Sequence, residues 1–142
     1  MVVLVDTNVV MDFLVNRKPY ADDAVKIVNL CRRKKVTGYL AAHTISNLFY
    51  ILRKDFSISQ RREMLGALCR LFEISGVDRR KVISALENEE FDDFEDCLQM
   101  ECALEIGAEY IITRNCPDFS GSEIPAIEPS GFLELFETDK DS

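Results

Sequence analysis

The chain alternates short unbroken apolar runs with stretches in which apolar residues recur every three or four positions. Val2 to Val5 is a continuous β-branched and aliphatic run, the pattern of a strand covered on both faces, and it ends abruptly at Asp6-Thr7-Asn8. A short helix is predicted over about 9–15. Pro19 then opens a longer one in which Ala24, Ile27, Val28 and Cys31 fall at i, i+3, i+4 and i+7. Gly38 to Ala42 is the second predicted strand, and His43-Thr44 is expected to cap a helix with Ile45, Leu48, Phe49 and Leu52 on its core face. A further helix, over about 59–71, carries Leu65, Leu68, Cys69 and Phe72 inward and leads to a third strand near Glu73 to Val77.

Asp78 caps the next predicted helix, with Val82, Ile83 and Leu86 inside, and the acidic stretch Glu87 to Asp96 follows. A helix over about 93–106 stops at Gly107, and Tyr110 to Thr113 is the fourth strand. The loop Arg114 to Glu123 leads to an edge segment at Ala126-Ile127, and Pro129 starts a last amphipathic helix through Phe132, Leu133 and Phe136. Strands alternating with helices predict an α/β domain with a mainly parallel sheet. No repeat or linker interrupts residues 1–137, which read as one domain with a frayed tail at 138–142.

Composition narrows the field. A chain of 142 residues that is 47% apolar and 30% charged builds one sizeable core, which excludes a disordered, collagenous or disulfide-scaffold protein. Its net charge of −8 argues against a nucleic-acid partner only if the charge is uniform. Residues 1–81 hold fifteen Lys and Arg against eight Asp and Glu, whereas residues 82–142 hold two against seventeen. A basic half is therefore joined to an acidic half. Five cysteines without a C-x-x-C pair, beside a single histidine, cannot make a tetrahedral zinc site and read as free, mostly core thiols of a reducing compartment. The longest apolar runs, Met1 to Val5 and Leu48 to Leu52, are five residues long, so no membrane partner is expected and the protein is read as cytoplasmic.

In an open α/β sheet, ligands bind outside the carboxyl ends of the strands. That edge receives Asp6 and Asn8 from strand one and Thr113, Arg114, Asn115 and Asp118 from strand four. The helix near 93 feeds strand four through the short Gly107-Ala108 turn, so its first residues, Asp92, Asp93 and Asp96, reach the same edge. The helix after strand two starts there with Thr44, Ser46 and Asn47. Carboxylates gathered in one crevice repel one another unless a cation neutralises them. Oxygen donors without His or Cys suit Mg²⁺ or Mn²⁺, and such an ion suits hydrolysis of a phosphodiester.

The segments LVDTNVVMDFL and FEDCLQMECALEIGAEYIITRNCPDF, with the interval between them, resemble the PIN domain over residues 1 to about 136. The resemblance implies a three-layer α/β/α domain with a five-stranded, mainly parallel sheet. It further implies Mg²⁺ or Mn²⁺ at the strand ends, cleavage of single-stranded RNA by activated water, and the role of toxin in a toxin-antitoxin pair. An antitoxin protein and a homodimeric state are expectations of the same kind. Asp6 matches the family's first metal-binding Asp, and Asp96 matches the Asp that opens the late helix. After Thr113-Arg114 the family usually has Asp; here Asn115 stands there, with Asp118 three residues on to supply the charge. Asp6, Asp96 and Asp118 are then the expected metal ligands, with Thr113 and Asn115 orienting water or a ligand. In the helix after strand two many members place a Glu, whereas this chain reads His-Thr-Ile-Ser-Asn-Leu, with Asn47 nearest that position.

Ser46, Asn47 and Asp93 are secondary candidates. Asp92, Asp93 and Glu95 otherwise read as a solvated acidic face, and Asp93 as an N-cap that makes Asp96 a third-position dipole partner. Arg53, Lys54 and Arg114 are the expected contacts to the RNA backbone, within a wider basic set of Arg32 to Lys35, Arg61-Arg62 and Arg79 to Lys81. The alternative left by the absent Glu is a catalytically weakened PIN-like module that binds RNA or protein. A receiver-like phosphoacceptor would need a lysine after the last strand, and Ala126-Ile127-Glu128 offers none.

Overall fold

Val2–Val5 forms β1, the central strand of a five-stranded sheet whose order is β3-β2-β1-β4-β5, with β2 at Thr37–Ala41, β3 at Glu73–Ser75, β4 at Tyr110–Ile112 and β5 at Ala126–Ile127. All four pairings are parallel, with Leu4 beside Tyr39 on one side and Ile111 on the other. The computed structural model describes the backbone of residues 1–141 and the side chains of residues 1–137. The last helix runs to Asp141; the tail expected at 138–142 otherwise lies outside the described residues.

Among the described residues seven α-helices cover the sheet: α1 Thr7–Leu14, α2 Ala21–Arg32, α3 Ala42–Ile51, α4 Ile58–Leu71, α5 Arg79–Glu87, α6 Phe94–Glu105 and α7 Pro129–Asp141. Because side chains alternate along a strand, Val3, Val5, Leu40 and Ile112 enter a core with α1, α2, α3, α4 and α7. Leu4, Ala41 and Ile111 enter a second core with α5 and α6. The chain is thus the three-layer α/β/α domain with the five-stranded parallel sheet that the resemblance implied. Both faces of β1 are buried, which is why its sequence is an unbroken apolar run.

Local details depart from the periodic reading. Helix α2 starts at Ala21, two residues past Pro19. Helix α3 starts directly after β2 without a side-chain cap, so His43 and Thr44 lie within its first turn, and Thr44 is fully buried. Cys69 on α4 is exposed rather than inside, while Cys31, Cys97 and Cys102 are buried, and all five thiols are free. In α5 the phase is rotated: Ile83 and Leu86 are 36% and 68% exposed, and Lys81 and Ala85 are buried instead. That helix packs chiefly on α6, where Lys81 donates to Glu105 (2.7 Å) and to the Gly76 carbonyl, and Ser84 donates to Glu101 (2.5 Å). The inward face of α5 thus combines the expected Val82, which is partly buried, with Ala85 and the buried Lys81.

Backbone conformation at one position and close approach at another call for glycine. Gly107 ends α6 at φ +66°, in the left-handed region. A Cβ on Gly38 in β2 would lie 2.6 Å from the Cys31 sulfur and 2.8 Å from the Phe72 ring. Among the described residues no helix is long and apolar enough to cross a membrane.

Candidate metal centre at the carboxyl edge of the sheet

Asp6 stands where β1 gives way to α1, and it serves as the N-cap of that helix. Its Oδ1 accepts from the Thr7 backbone N–H (2.7 Å) and from Gln99 Nε2 (2.7 Å), and its Oδ2 accepts from Thr113 Oγ1 (2.7 Å). A carboxylate offers about four lone-pair sites, so three fixed donors hold this one rigidly and leave one site open. Thr113 is fully buried at the end of β4, and its hydroxyl also accepts from the Asn115 backbone N–H (3.0 Å). Asp6 therefore joins β1, α6 and β4 at one point.

Two adjoining clefts meet at that carboxylate. One is lined by Asp6, Asp96, Asn115 and Asp118 together with Thr7, Asn8 and Arg17. The other is lined by Asp6, Asp96, His43, Asn47, Tyr50, Asp93, Glu95 and Gln99. The expected ligands Asp6, Asp96 and Asp118 thus share a cleft with Asn115, while Thr113 stands behind it on Asp6. Asp93 is the N-cap of α6, its Oδ1 accepting from the Asp96 N–H (2.9 Å). Ser46 is exposed and lines neither cleft.

Crowding has an electrostatic consequence. The Asp96 carboxyl is pushed from its ordinary 3.8 up to about 7, first by burial and then by the charges of Asp93, Asp6, Asp118 and Glu95. Burial holds the His43 imidazole below its ordinary value. Its Nε2–H donates to the Glu95 carbonyl (3.1 Å), which leaves Nδ1 as a bare, buried acceptor. Gln99 Oε1 is likewise buried without a hydrogen-bond partner.

Among the described residues no group of three or more His, Cys, Asp or Glu side chains stands arranged to enclose a metal ion. The donor set still fits a hydrated hard cation, because Mg²⁺ takes one or two carboxylates and keeps several waters. Waters on such an ion would also supply donors for Gln99 Oε1. Asp6 and Asp96 are the residues that would hold it, with Asp118 and Asn115 lining the same cleft.

The basic residues are distributed otherwise than expected. Arg114 forms a two-pronged pair with Asp12, Nε to Oδ2 at 2.6 Å and the second nitrogen to Oδ1 at 3.2 Å, and its guanidinium lies 4.0 Å over the Tyr20 ring. Those donors are not free for a phosphate; Arg114 is a buttress for the β4 exit. Arg53 stacks 3.6 Å over Tyr50, on the wall of the second cleft, and Lys54 is exposed beside it. Arg32 and Lys34 line a pocket with Thr37, Gly38 and Glu73, at the opposite, amino end of the strands, so they form no track beside the acids. Lys81 is buried against Glu105.

Sequence reasoning missed Gln99, Asp12 and the position of Glu95. A signal existed for the first two: each is a polar residue within an apolar turn, Cys97-Leu98-Gln99-Met100 and Val9-Val10-Met11-Asp12. Asn47 Nδ2 donates to Glu95 Oε2 at 3.0 Å across the second cleft, a pairing that spacing alone could not reveal.

This fold and this polar edge are those of the PIN domain, and the chain belongs to that family, whose sequence model matches residues 2–116. The structure of FitAB bound to an IR36 DNA fragment is similar at TM-score 0.69 and 17% identity, covering 89% of this chain and 94% of that one. VapBC2 from Rickettsia felis, bound to a DNA fragment from its promoter, is similar at TM-score 0.66 and 17% identity, covering 90% and 98%. VapC20 from Mycobacterium tuberculosis, a sarcin-ricin loop cleaving toxin, is similar at TM-score 0.61 and 13% identity, covering 77% and 86%. At these identities the likeness is one of fold. No curated protein matches the chain.

Proposed function

We propose that the protein is a Mg²⁺- or Mn²⁺-dependent endoribonuclease that hydrolyses single-stranded RNA in the cytoplasm, as the toxin of a toxin-antitoxin pair. The observation that carries the reading is the meeting of Asp6, Asp96 and Asp118 on one cleft, with the Asp96 carboxyl raised to about 7 by burial and then by its acidic neighbours. Membership of the PIN family supports nuclease chemistry. Two proteins of similar fold, a toxin that cleaves the sarcin-ricin loop and a toxin-antitoxin complex from Klebsiella pneumoniae, support RNA as substrate and an antitoxin as partner. A homodimer is the expected assembly.

When bound, the ion supplies positive charge to a phosphate oxygen and lowers the pKa of a coordinated water. The chain's own residues do the rest. Asp6, fixed by Thr7, Gln99 and Thr113, presents a preorganised oxygen to the ion. Asp96, held up to about 7 by burial and its acidic neighbours while the cleft is empty, would release its proton to take the ion and so lend it a second carboxylate oxygen. Asn115 offers a neutral amide donor on the wall shared with Asp118. Arg53 on Tyr50, and Arg17 at the rim of the first cleft, supply cation and ring at the approaches, where a backbone phosphate and an unstacked base are recognised.

The test is incubation of a labelled single-stranded RNA with Mn²⁺ and either the wild type or Asp6→Asn. Cleavage by the wild type, abolished by chelation and by Asp6→Asn, is the expected result. Equal cleavage by both proteins, or by neither, contradicts the reading. The second reading, a binding module without hydrolysis, draws on Asn47 standing where a Glu was expected, and RNA retention without cleavage would favour it.

A further inference from the structure

We propose that Glu95 supplies to the cation site the carboxylate that α3 lacks, with Asn47 and His43 as the clamp that holds it there. The assignment rests on the metal-dependent reading above and names a ligand-bearing residue that the family motif does not. At the α3 position where the resemblance implies a Glu, this chain has Asn47, whose neutral amide adds no negative charge. Its Nδ2 donates to Glu95 Oε2 (3.0 Å), so the side chain that cannot bring a charge fixes one from the facing helix. His43 and Asn47 are four residues apart and share a face of α3. His43 grips the Glu95 carbonyl while Asn47 grips its side chain, docking the first turn of α6 on the first turns of α3.

A bland account exists: Glu95 is an acid in the first turn of a helix, where it suits the dipole. That account requires no partner, and an exposed Glu held by a neutral amide 48 residues away loses rotamer freedom for little gain. A second observation points to a ligand. Gln99 lines the same cleft, is 3% exposed, and leaves Oε1 unpartnered, although its amide is otherwise committed to Asp6. A buried acceptor without a donor is costly, and water carried by a hydrated cation is the donor that this cleft would receive. With Glu95 turned to the cleft, the charge lost at α3 is recovered from α6.

The experiment is a calorimetric titration of Mn²⁺ into the wild type, Glu95→Gln, Asp92→Asn and the relocated double variant Asn47→Glu with Glu95→Gln, with thermal melts confirming that each is folded. Glu95→Gln should weaken Mn²⁺ binding by about tenfold or more, as loss of a carboxylate at or next to a metal does. Asp92→Asn, which removes an exposed charge three residues away, should change it by less than about twofold because solvent screens it. The double variant should bind better than Glu95→Gln, and RNA cleavage should follow the same order. Glu95→Gln binding as well as the wild type overturns the assignment, as does an equal loss in Asp92→Asn or a double variant no better than Glu95→Gln. A wild type that binds no Mn²⁺ overturns the metal-site reading itself and the assignment with it, so the two failures are told apart.

Discussion

Asp96 is the residue whose behaviour follows most directly from its neighbours. Its folded-state value of about 7 lies above the ordinary 3.8, so between those values the folded chain keeps a proton that the unfolded chain has released. The stability this contributes is fully present below about pH 4 and is lost as pH rises through about 7. Urea midpoints across that window should therefore fall more steeply for the wild type than for Asp96→Asn, and saturating Mn²⁺ above pH 7 should raise the wild type more than the variant. Parallel pH profiles would contradict the crowding. Glu105 and Asp78 act in the opposite sense: bonds from Lys81 hold both carboxyls low, so their contribution fades as pH falls. The difference between wild type and variant removes that background. Asp6 was legible in the sequence because it ends an apolar run at a predicted strand end, and Asp96 because it stands in the first turn of the predicted late helix. The bonds from Gln99 and Asn47 were not, since they join residues 93 and 48 positions apart and exist only once the sheet has brought α1, α3 and α6 together.

At the scale of elements, the cleft depends on how firmly β4 hands over to the segment carrying Asn115 and Asp118. Asp12, in the last turns of α1 and 1% exposed, holds Arg114 at the exit of β4, with Arg17 3.5 Å from its Oδ1. Removing one partner of such a pair strands a charge in a half-buried setting. Asp12→Ala should therefore cost about 3–5 kcal/mol in denaturant unfolding, and a loss below about 1 kcal/mol would show that Arg114 re-solvates freely. On the far wall, Phe91 meets Phe119 edge to face (6.2 Å, 81°) and pins the acidic loop to the turn bearing Asp118. The order of strands and helices was readable from periodicity because each covered strand is an apolar run and each helix has an apolar stripe. The phase of α5 was legible only in part: Val82 packs inward as expected, whereas Lys81 is buried because Glu105 on α6 accepts from it, a partner that periodicity does not show. The start of α3 escaped for a related reason: it has no capping side chain to announce it.

Across the whole molecule, the division into a basic and an acidic half survives folding only in part. Several of the acids become one crevice at the carboxyl edge of the sheet, whereas Arg32 and Lys34 gather at the opposite edge and Lys81 is consumed internally. Charge along a sequence does not report which end of a strand a helix terminus will reach; the parallel topology does, since α2 must end where β2 begins. Cations that remain near the crevice include Arg17, in the loop after α1, and Arg53 with its neighbour Lys54, in the turn just past α3. Hydrolysis by this protein, as proposed, requires the crevice around Asp6 to be a divalent-cation site. Crystals of the wild type soaked in Mn²⁺ and measured at the manganese absorption edge test this most directly. An anomalous peak in the crevice, with oxygens of Asp6 and Asp96 among its nearest neighbours at roughly 2.0–2.2 Å, is the predicted result. A crevice without a peak at saturating Mn²⁺, or a peak bound away from Asp6, would contradict it.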